Sequence, residues 1–509
     1  MNATPRLTLL ALAALLAAFA RPAFGAVRLA SPFTDHMVLQ REQPVPIWGT
    51  ASNAGELVTV RCNGQTRVTT ADGAGRWKVQ LAAMAAGGPF ELTVDDADGQ
   101  VRLTDVLIGE VWLASGQSNM DFTVAKTPKY YFAGVNHEAE EVAAANYPQI
   151  RMFSGIWSRS AEPHAEVAGT WKVCTPENVR EFSAIGYFFA RDLQAVLHVP
   201  IGIVTLTYGA STAQAWVRRE AIAADPRLKP DLDAFDARVK AYVPPTAAEI
   251  AQWQEAAQKA KATGQRGPRM PHPHPAADQH NPTVLYNGMI APFVPYAIRG
   301  IIWYQGESIT GSHALFPVWN ETLIKDWRSL WGSPLPFYFC QLSAQDASSN
   351  SPEVRELQAR ALALPATAMV VTVDIGDRHN VHPKNKQDVG DRLTRIALAE
   401  VYGRKIEFSG PVYRSMSTEG SSLRLTFSHL GGGLMARGGE LRTFEIAGAD
   451  GKYVPAEAKI EGRNIVVRAA GVARPAYARY AWSNYPEGCN LYNAAGLPAA
   501  PFRTDQPMP

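Results

Sequence analysis

The sequence predicts an α/β fold: an open parallel sheet with helices on both faces, flanked by β-rich, sandwich-like N-terminal and C-terminal domains. Three observations predict it. The 509 residues exceed one typical domain, and at 46% apolar they carry ample core material. Short apolar stretches broken by Gly, Asn and Asp occupy both ends of the chain, with no helical period. Between them, compact runs rich in Val, Ile and aromatic residues alternate with amphipathic helical patterns, as buried parallel strands with crossovers require.

Taken in order, residues 1–25 read as a secretory signal peptide. Arg6 is basic, residues 7–20 are an apolar run of 14, and Ala23 and Gly25 are the small residues needed before a cut. That run is shorter than the ~20 residues that span a bilayer, so export with cleavage near residue 25 is expected, without membrane insertion. Residues 26–105 form the N-terminal β domain, with strands expected at 37–39, 45–48, 57–60, 77–81 and 90–94. Residues 106–403 form the α/β domain, with strands at 111–114, 201–207, 298–304, 337–342 and 368–373. After Ser183, a good N-cap, Ile185, Phe188, Phe189, Leu193, Val196 and Leu197 share one helix face. Further helices are expected at 319–330, 352–364 and 388–402. Residues 219–281 read as an inserted helical pair and loop, in which His272, His274 and His280 are solvated rather than metal ligands. Residues 404–509 form the C-terminal β domain, with alternating strands at 423–427, 443–446, 456–460, 465–467 and 477–482.

Composition narrows the function. Lys and Arg number 49 against 47 Asp and Glu, for a formal charge of +2, so neither nucleic acid nor an acidic membrane is expected as partner. Most of the 12 Trp and 17 Tyr belong to the core, and any that face solvent suit the apolar faces of sugars. Cys62, Cys174, Cys340 and Cys489 are far apart in sequence. Export permits a disulfide, and unpaired buried thiols fit the spacing equally well. No Cys, His and carboxylate spacing reads as a metal site, so no metal or cofactor is expected.

Ligands of open α/β sheets bind beyond the carboxyl ends of the strands, so the chemistry is sought there. Gly116 to Asn119 follows the first strand and places Ser118 in a tight turn suited to a nucleophile, although a Ser in such a turn is more often an N-cap. Gly209 follows the second strand, where its N–H can face an oxyanion. Gln305 and Glu307 leave the third; Gln305 has amide hydrogens for an oxyanion, and Glu307 is an acceptor for a base or a sugar hydroxyl. The last strand ends in Asp374, Asp377, His379 and His382, where His382 before Pro383 is the more fixed general-base candidate.

With these residues assembled, the chain resembles the sialate O-acetylesterase family within the SGNH-type hydrolases. The resemblance is carried by residues 37–40, 75–77, 109–120, 285–290, 303–308 (Trp-Tyr-Gln-Gly-Glu-Ser), 382–386 (His-Pro-Lys-Asn-Lys) and 496–505, in order along nearly the whole chain. It implies hydrolysis of acetyl esters on sugars with Ser118 as nucleophile and His382 as base. The Ser118 N–H, Gly209 N–H and Gln305 would form the oxyanion hole, with Asn119, Glu307 and Trp303 supporting the site or touching substrate. The chain departs from the family pattern in having Ala210 where relatives have a second Gly, and Ile309 where they have Asn. His379 and Asn380 stand where an Asp often precedes the catalytic His. Asp374 is the first candidate for the triad acid and Asp377 the second; a Ser–His pair without one is the alternative. Acetylated xylan or xyloglucan is the alternative to sialic acid as substrate. A noncatalytic glycan-binding protein and a lipase or peptidase are the rival functions.

Overall fold

A computed structural model describes residues 26–128, 130–309, 313–347 and 351–505. The signal-peptide reading of residues 1–25 lies outside them. The central sheet contains β1 (Gln100–Gly116), β2 (Tyr147–Gly155), β3 (Gly169–Cys174), β4 (Ile201–Thr207), β5 (Gly300–Tyr304), β6 (Phe337–Cys340) and β7 (Thr367–Val370), in the spatial order β3-β2-β4-β1-β5-β6-β7. From β2 to β7 every neighbouring pair is parallel, and β3 closes the edge antiparallel to β2. The sheet is therefore mixed. β2 and β3 escaped the sequence reading because Gln149, Arg151 and Lys172 interrupt their apolar patterns.

Side chains alternate between two cores, as the period of a strand demands. Ile201 and Ile203 of β4, with Ile302 and Tyr304 of β5, pack with α2 (Ala184–Leu197) and α4 (Gln387–Glu400). Val204 and Leu206, with Ile301 and Trp303, pack on the opposite face with α3 (Phe316–Trp331). Ser183 caps α2 by accepting the Gly186 N–H at 3.2 Å.

β1 is 17 residues long and joins two parts of the molecule. Its first half pairs antiparallel with the strand Gly87–Asp95, and its second half runs parallel between β4 and β5. The expected boundary at 105/106 thus falls inside one strand, at a bulge where Asp105 takes φ 52°. The insertion contains three helices rather than two: Arg219–Ala224, Lys229–Lys240 and Ala247–Ala262. At the C-terminal end, four-stranded sheets face one another across a shared core that includes Leu425 and Ile465 from one and Phe444 and Tyr480 from the other. All four cysteines are unpaired.

Candidate active site

The parallel register brings three strand ends together. Gly116 ends β1 opposite Thr207 of β4 and Tyr304 of β5. At Gly116, φ is 129° and a Cβ would lie 2.1 Å from the Tyr304 carbonyl oxygen, so only glycine fits this close approach. Gln117 N–H then donates to that carbonyl at 2.9 Å, and Ser118 opens the short α1 (Ser118–Asp121).

Ser118 Oγ lies 2.8 Å from His382 Nε2. His382 reaches it from the loop after β7. Asp377 Oδ1 accepts the N–H groups of His379 (2.9 Å) and Asn380 (3.1 Å), and Asn380 Oδ1 accepts the His382 N–H at 2.9 Å. The imidazole stacks on Phe132 with centroids 4.3 Å apart and rings 26° from parallel. Burial and the nearby Lys386 ammonium push its pKa down to about 4, so the ring is neutral and able to accept a proton. His379 is exposed and is used differently, its N–H fastening the loop.

Among the described residues, the N–H groups of Ser118 and Gly209 have no hydrogen-bond acceptor. Trp157 borders Gly209: a Cβ there would lie 3.5 Å from its ring, which also packs on Tyr208 at 4.7 Å. Trp157 and Tyr131 are exposed, and with Phe132 they give this end of the sheet an aromatic border. The Arg159 guanidinium lies over the Tyr208 ring at 5.2 Å.

The structure corrects several expectations. Asp374 does not meet His382. It holds Arg392 with both oxygens (2.8 and 2.7 Å) and accepts the Tyr492 hydroxyl at 2.8 Å, which ties the strand end to α4 and to the C-terminal strand that carries Tyr492. Asp377 is exposed and caps the loop instead of reaching the ring. Gln305 is buried with its Nε2 donating to the Ser211 carbonyl at 3.0 Å, so one of its amide hydrogens holds the loop that carries Gly209. Trp303 is buried in the core, edge-on against Trp216 and Trp327. Asn119 is fully buried; its Nδ2 donates to Glu307 Oε1 (2.5 Å) and to the Val381 carbonyl (2.9 Å), so Asn119 and Glu307 support the site from within.

The sequence alone assigns no role to Lys386 or Phe132. Lys386 stood in the quoted His-Pro-Lys-Asn-Lys segment, and the Tyr130–Tyr131–Phe132 aromatic run was the available signal for the other. No group of three or more His, Cys, Asp or Glu among the described residues is arranged to hold a metal ion. His280 pairs with Asp278 at 2.6 Å, and His274 accepts the Ala276 N–H at 3.0 Å. A cavity of about 470 Å³ lies beside the C-terminal sheets, where Gln341, Glu356, Tyr413 and Phe502 line it; neither Ser118 nor His382 does.

Comparison with known proteins agrees with this geometry. The family described as carbohydrate esterase, sialic acid-specific acetylesterase matches residues 276–399. A sialate O-acetylesterase of Rattus norvegicus is 30% identical over 553 aligned positions, covering 98% of each chain. That of Homo sapiens is 29% identical, covering 93% of this chain and 92% of its own. A carbohydrate acetylesterase from Xanthomonas citri is 36% identical, with a TM-score of 0.79 over 94% of this chain and all of that one. On whole-length similarity, with the serine, the histidine and the strand ends that carry them in place, this chain belongs to the sialate O-acetylesterase family of carbohydrate esterases.

Proposed function

We propose that the protein hydrolyses acetyl esters on sugar hydroxyls, with Ser118 as nucleophile and His382 as general base. The observation that carries this is the 2.8 Å contact between Ser118 Oγ and a neutral His382 Nε2 at the carboxyl end of the sheet. Ser118 Oγ attacks the acetyl carbonyl carbon as its proton passes to Nε2. The former carbonyl oxygen, now an anion, takes the N–H groups of Ser118 and Gly209. The intermediate collapses by breaking the bond to the sugar oxygen, which leaves with the proton from His382. Water, deprotonated by the same ring, then attacks the acetyl-serine and releases acetate and free Ser118. With Asp374 and Asp377 engaged elsewhere, the pair works without a triad carboxylate.

The aromatic border suits the apolar face of a sugar ring, and Arg159 offers a cation beside it for the carboxylate of a sialic acid. Neutral acetylated xylan or xyloglucan would use the aromatic border alone. Export is the companion reading, supported by the pattern of residues 1–25; no described helix is long and apolar enough to cross a membrane. The test measures acetate release from acetylated sialic acids and from xylan and xyloglucan fragments by wild type, Ser118→Ala and Arg159→Ala. Ser118→Ala should lose several orders of magnitude in kcat with its fold intact, and near-normal turnover would refute the mechanism. Arg159→Ala should lose activity on sialate esters and keep it on neutral ones; equal rates on both would remove Arg159 from recognition.

A further inference from the structure

An enclosed set of polar groups links the serine turn to the histidine loop. Asn119 follows Ser118, and Val381 precedes His382. Asn119 Nδ2 donates to the Val381 carbonyl at 2.9 Å, so one side chain joins the two catalytic segments directly. Its second Nδ2 hydrogen goes to Glu307 Oε1, and its Oδ1 accepts the Lys386 ammonium at 2.6 Å. Lys386 is buried to 1% and Asn119 to 0% exposure.

The chemistry of these groups leaves one orientation. A lysine ammonium only donates, and a carbonyl only accepts. The Asn119 oxygen must therefore face Lys386, which turns its NH2 toward Val381 and Glu307. Lys386 also begins α4: its carbonyl accepts the Gly390 N–H at 3.0 Å, and α4 packs on α2 in one core. The amide is thus set by a group anchored in the helix layer. A buried ammonium is costly, and burial pushes Lys386 down to about 7. An apolar side chain of similar length would fill the same space but leave the Asn119 oxygen without a donor, so packing alone does not account for a lysine here.

We propose that Lys386 is a positioning residue for the reaction: through Asn119, and with Glu307, it clamps the His382 loop onto the Ser118 turn and so supplies the orientation that neither Asp374 nor Asp377 gives. This rests on the Ser118–His382 reading. Several groups face the ammonium. They are the Glu307 carboxylate, the Cys340 thiol at the end of β6, His382, and the rings of Phe122 (4.6 Å) and Tyr304 (5.8 Å).

The test compares Lys386→Met and Asn119→Ala with Ser118→Ala and His382→Ala in the full-length protein, reading kcat, KM, Tm and the pH dependence of kcat/KM. Methionine fills the volume without charge or donor. Lys386→Met and Asn119→Ala should each lower kcat by about 10- to 100-fold with KM within about twofold. Lys386→Met should lower the Tm, because the buried Asn119 oxygen loses its donor and Glu307 loses the ammonium beside it. It should also move the acid limb of kcat/KM to higher pH, because His382 no longer sits beside an ammonium. A lower Tm with wild-type kcat and an unmoved acid limb would make Lys386 a packing residue and overturn the proposal. If Lys386→Met fails to fold, Asn119→Ala decides alone: wild-type kcat overturns the clamp. Activity in Ser118→Ala or His382→Ala would instead refute the Ser–His reading. Dead catalytic variants beside fully active Lys386→Met and Asn119→Ala would refute only the clamp.

Discussion

The pH at which the enzyme switches on follows from where His382 sits. A free imidazole has a pKa near 6.5; here burial, and then the Lys386 ammonium, lower it to about 4. On the proposed Ser118–His382 mechanism, catalysis needs the neutral ring. At pH 5 the neutral fraction is 1/(1 + 10^(4−5)), about 0.9, whereas an unperturbed histidine would give 1/(1 + 10^(6.5−5)), about 0.03. The acid limb of kcat/KM should therefore fall near pH 4, and activity at pH 5 should be close to its plateau. The assay is initial acetate release below saturation, at constant ionic strength, from neutral pH into the acid range. Half-maximal kcat/KM near pH 6.5 would show a solvated or counter-charged His382 and refute the reasoning. The same shift acts on stability. The unfolded chain binds the His382 proton more readily than the folded one. Its contribution is full above pH 6.5 and is lost as pH falls toward about 4.

Two further outcomes test the site's surroundings. Gln305→Ala leaves the Ser211 carbonyl without its buried donor, so it should destabilise the fold by about 1–3 kcal/mol in urea unfolding while kcat stays within about tenfold; a 100- to 1000-fold loss of kcat with normal stability would instead make Gln305 an oxyanion donor. Ala210 occupies the left-handed region at φ 52°, which costs an alanine about 1–2 kcal/mol, against about 0.4–1 kcal/mol of extra unfolded-chain entropy for glycine. Ala210→Gly should therefore raise stability by up to about 1.6 kcal/mol, and a lower urea midpoint would contradict this.

Much of the site was legible in the sequence because its signals are local. A compact apolar run followed by Gly116 and Ser118 announces a strand end with a hydroxyl beyond it. Ser183 three residues before Gly186 announces a helix start, and the cap is there. The His382 loop was readable as acid–base rich for the same reason. The choice among its carboxylates was not, since Asp374 is separated from its partners Arg392 and Tyr492 by 18 and 118 positions. The Ser211 partner of Gln305 was not readable, because leaving a strand end does not say which way a side chain turns. β2 and β3 were missed because their polar residues break the alternation that periodicity relies on.

The α/β class with β-rich ends, the family resemblance, and the pair Ser118 and His382, which lie 2.8 Å apart, were all readable along the chain. These follow from composition, period and short motifs, which are properties of neighbours along the chain. The packing of distant segments sets the rest: among the described residues no carboxylate hydrogen-bonds His382, Gln305 donates to Ser211, and Lys386 and Glu307 meet at Asn119. Hydrogen bonds in a buried site are directional and short, and here they join residues as many as 267 positions apart, so partners are chosen by how the strand ends and helices stack.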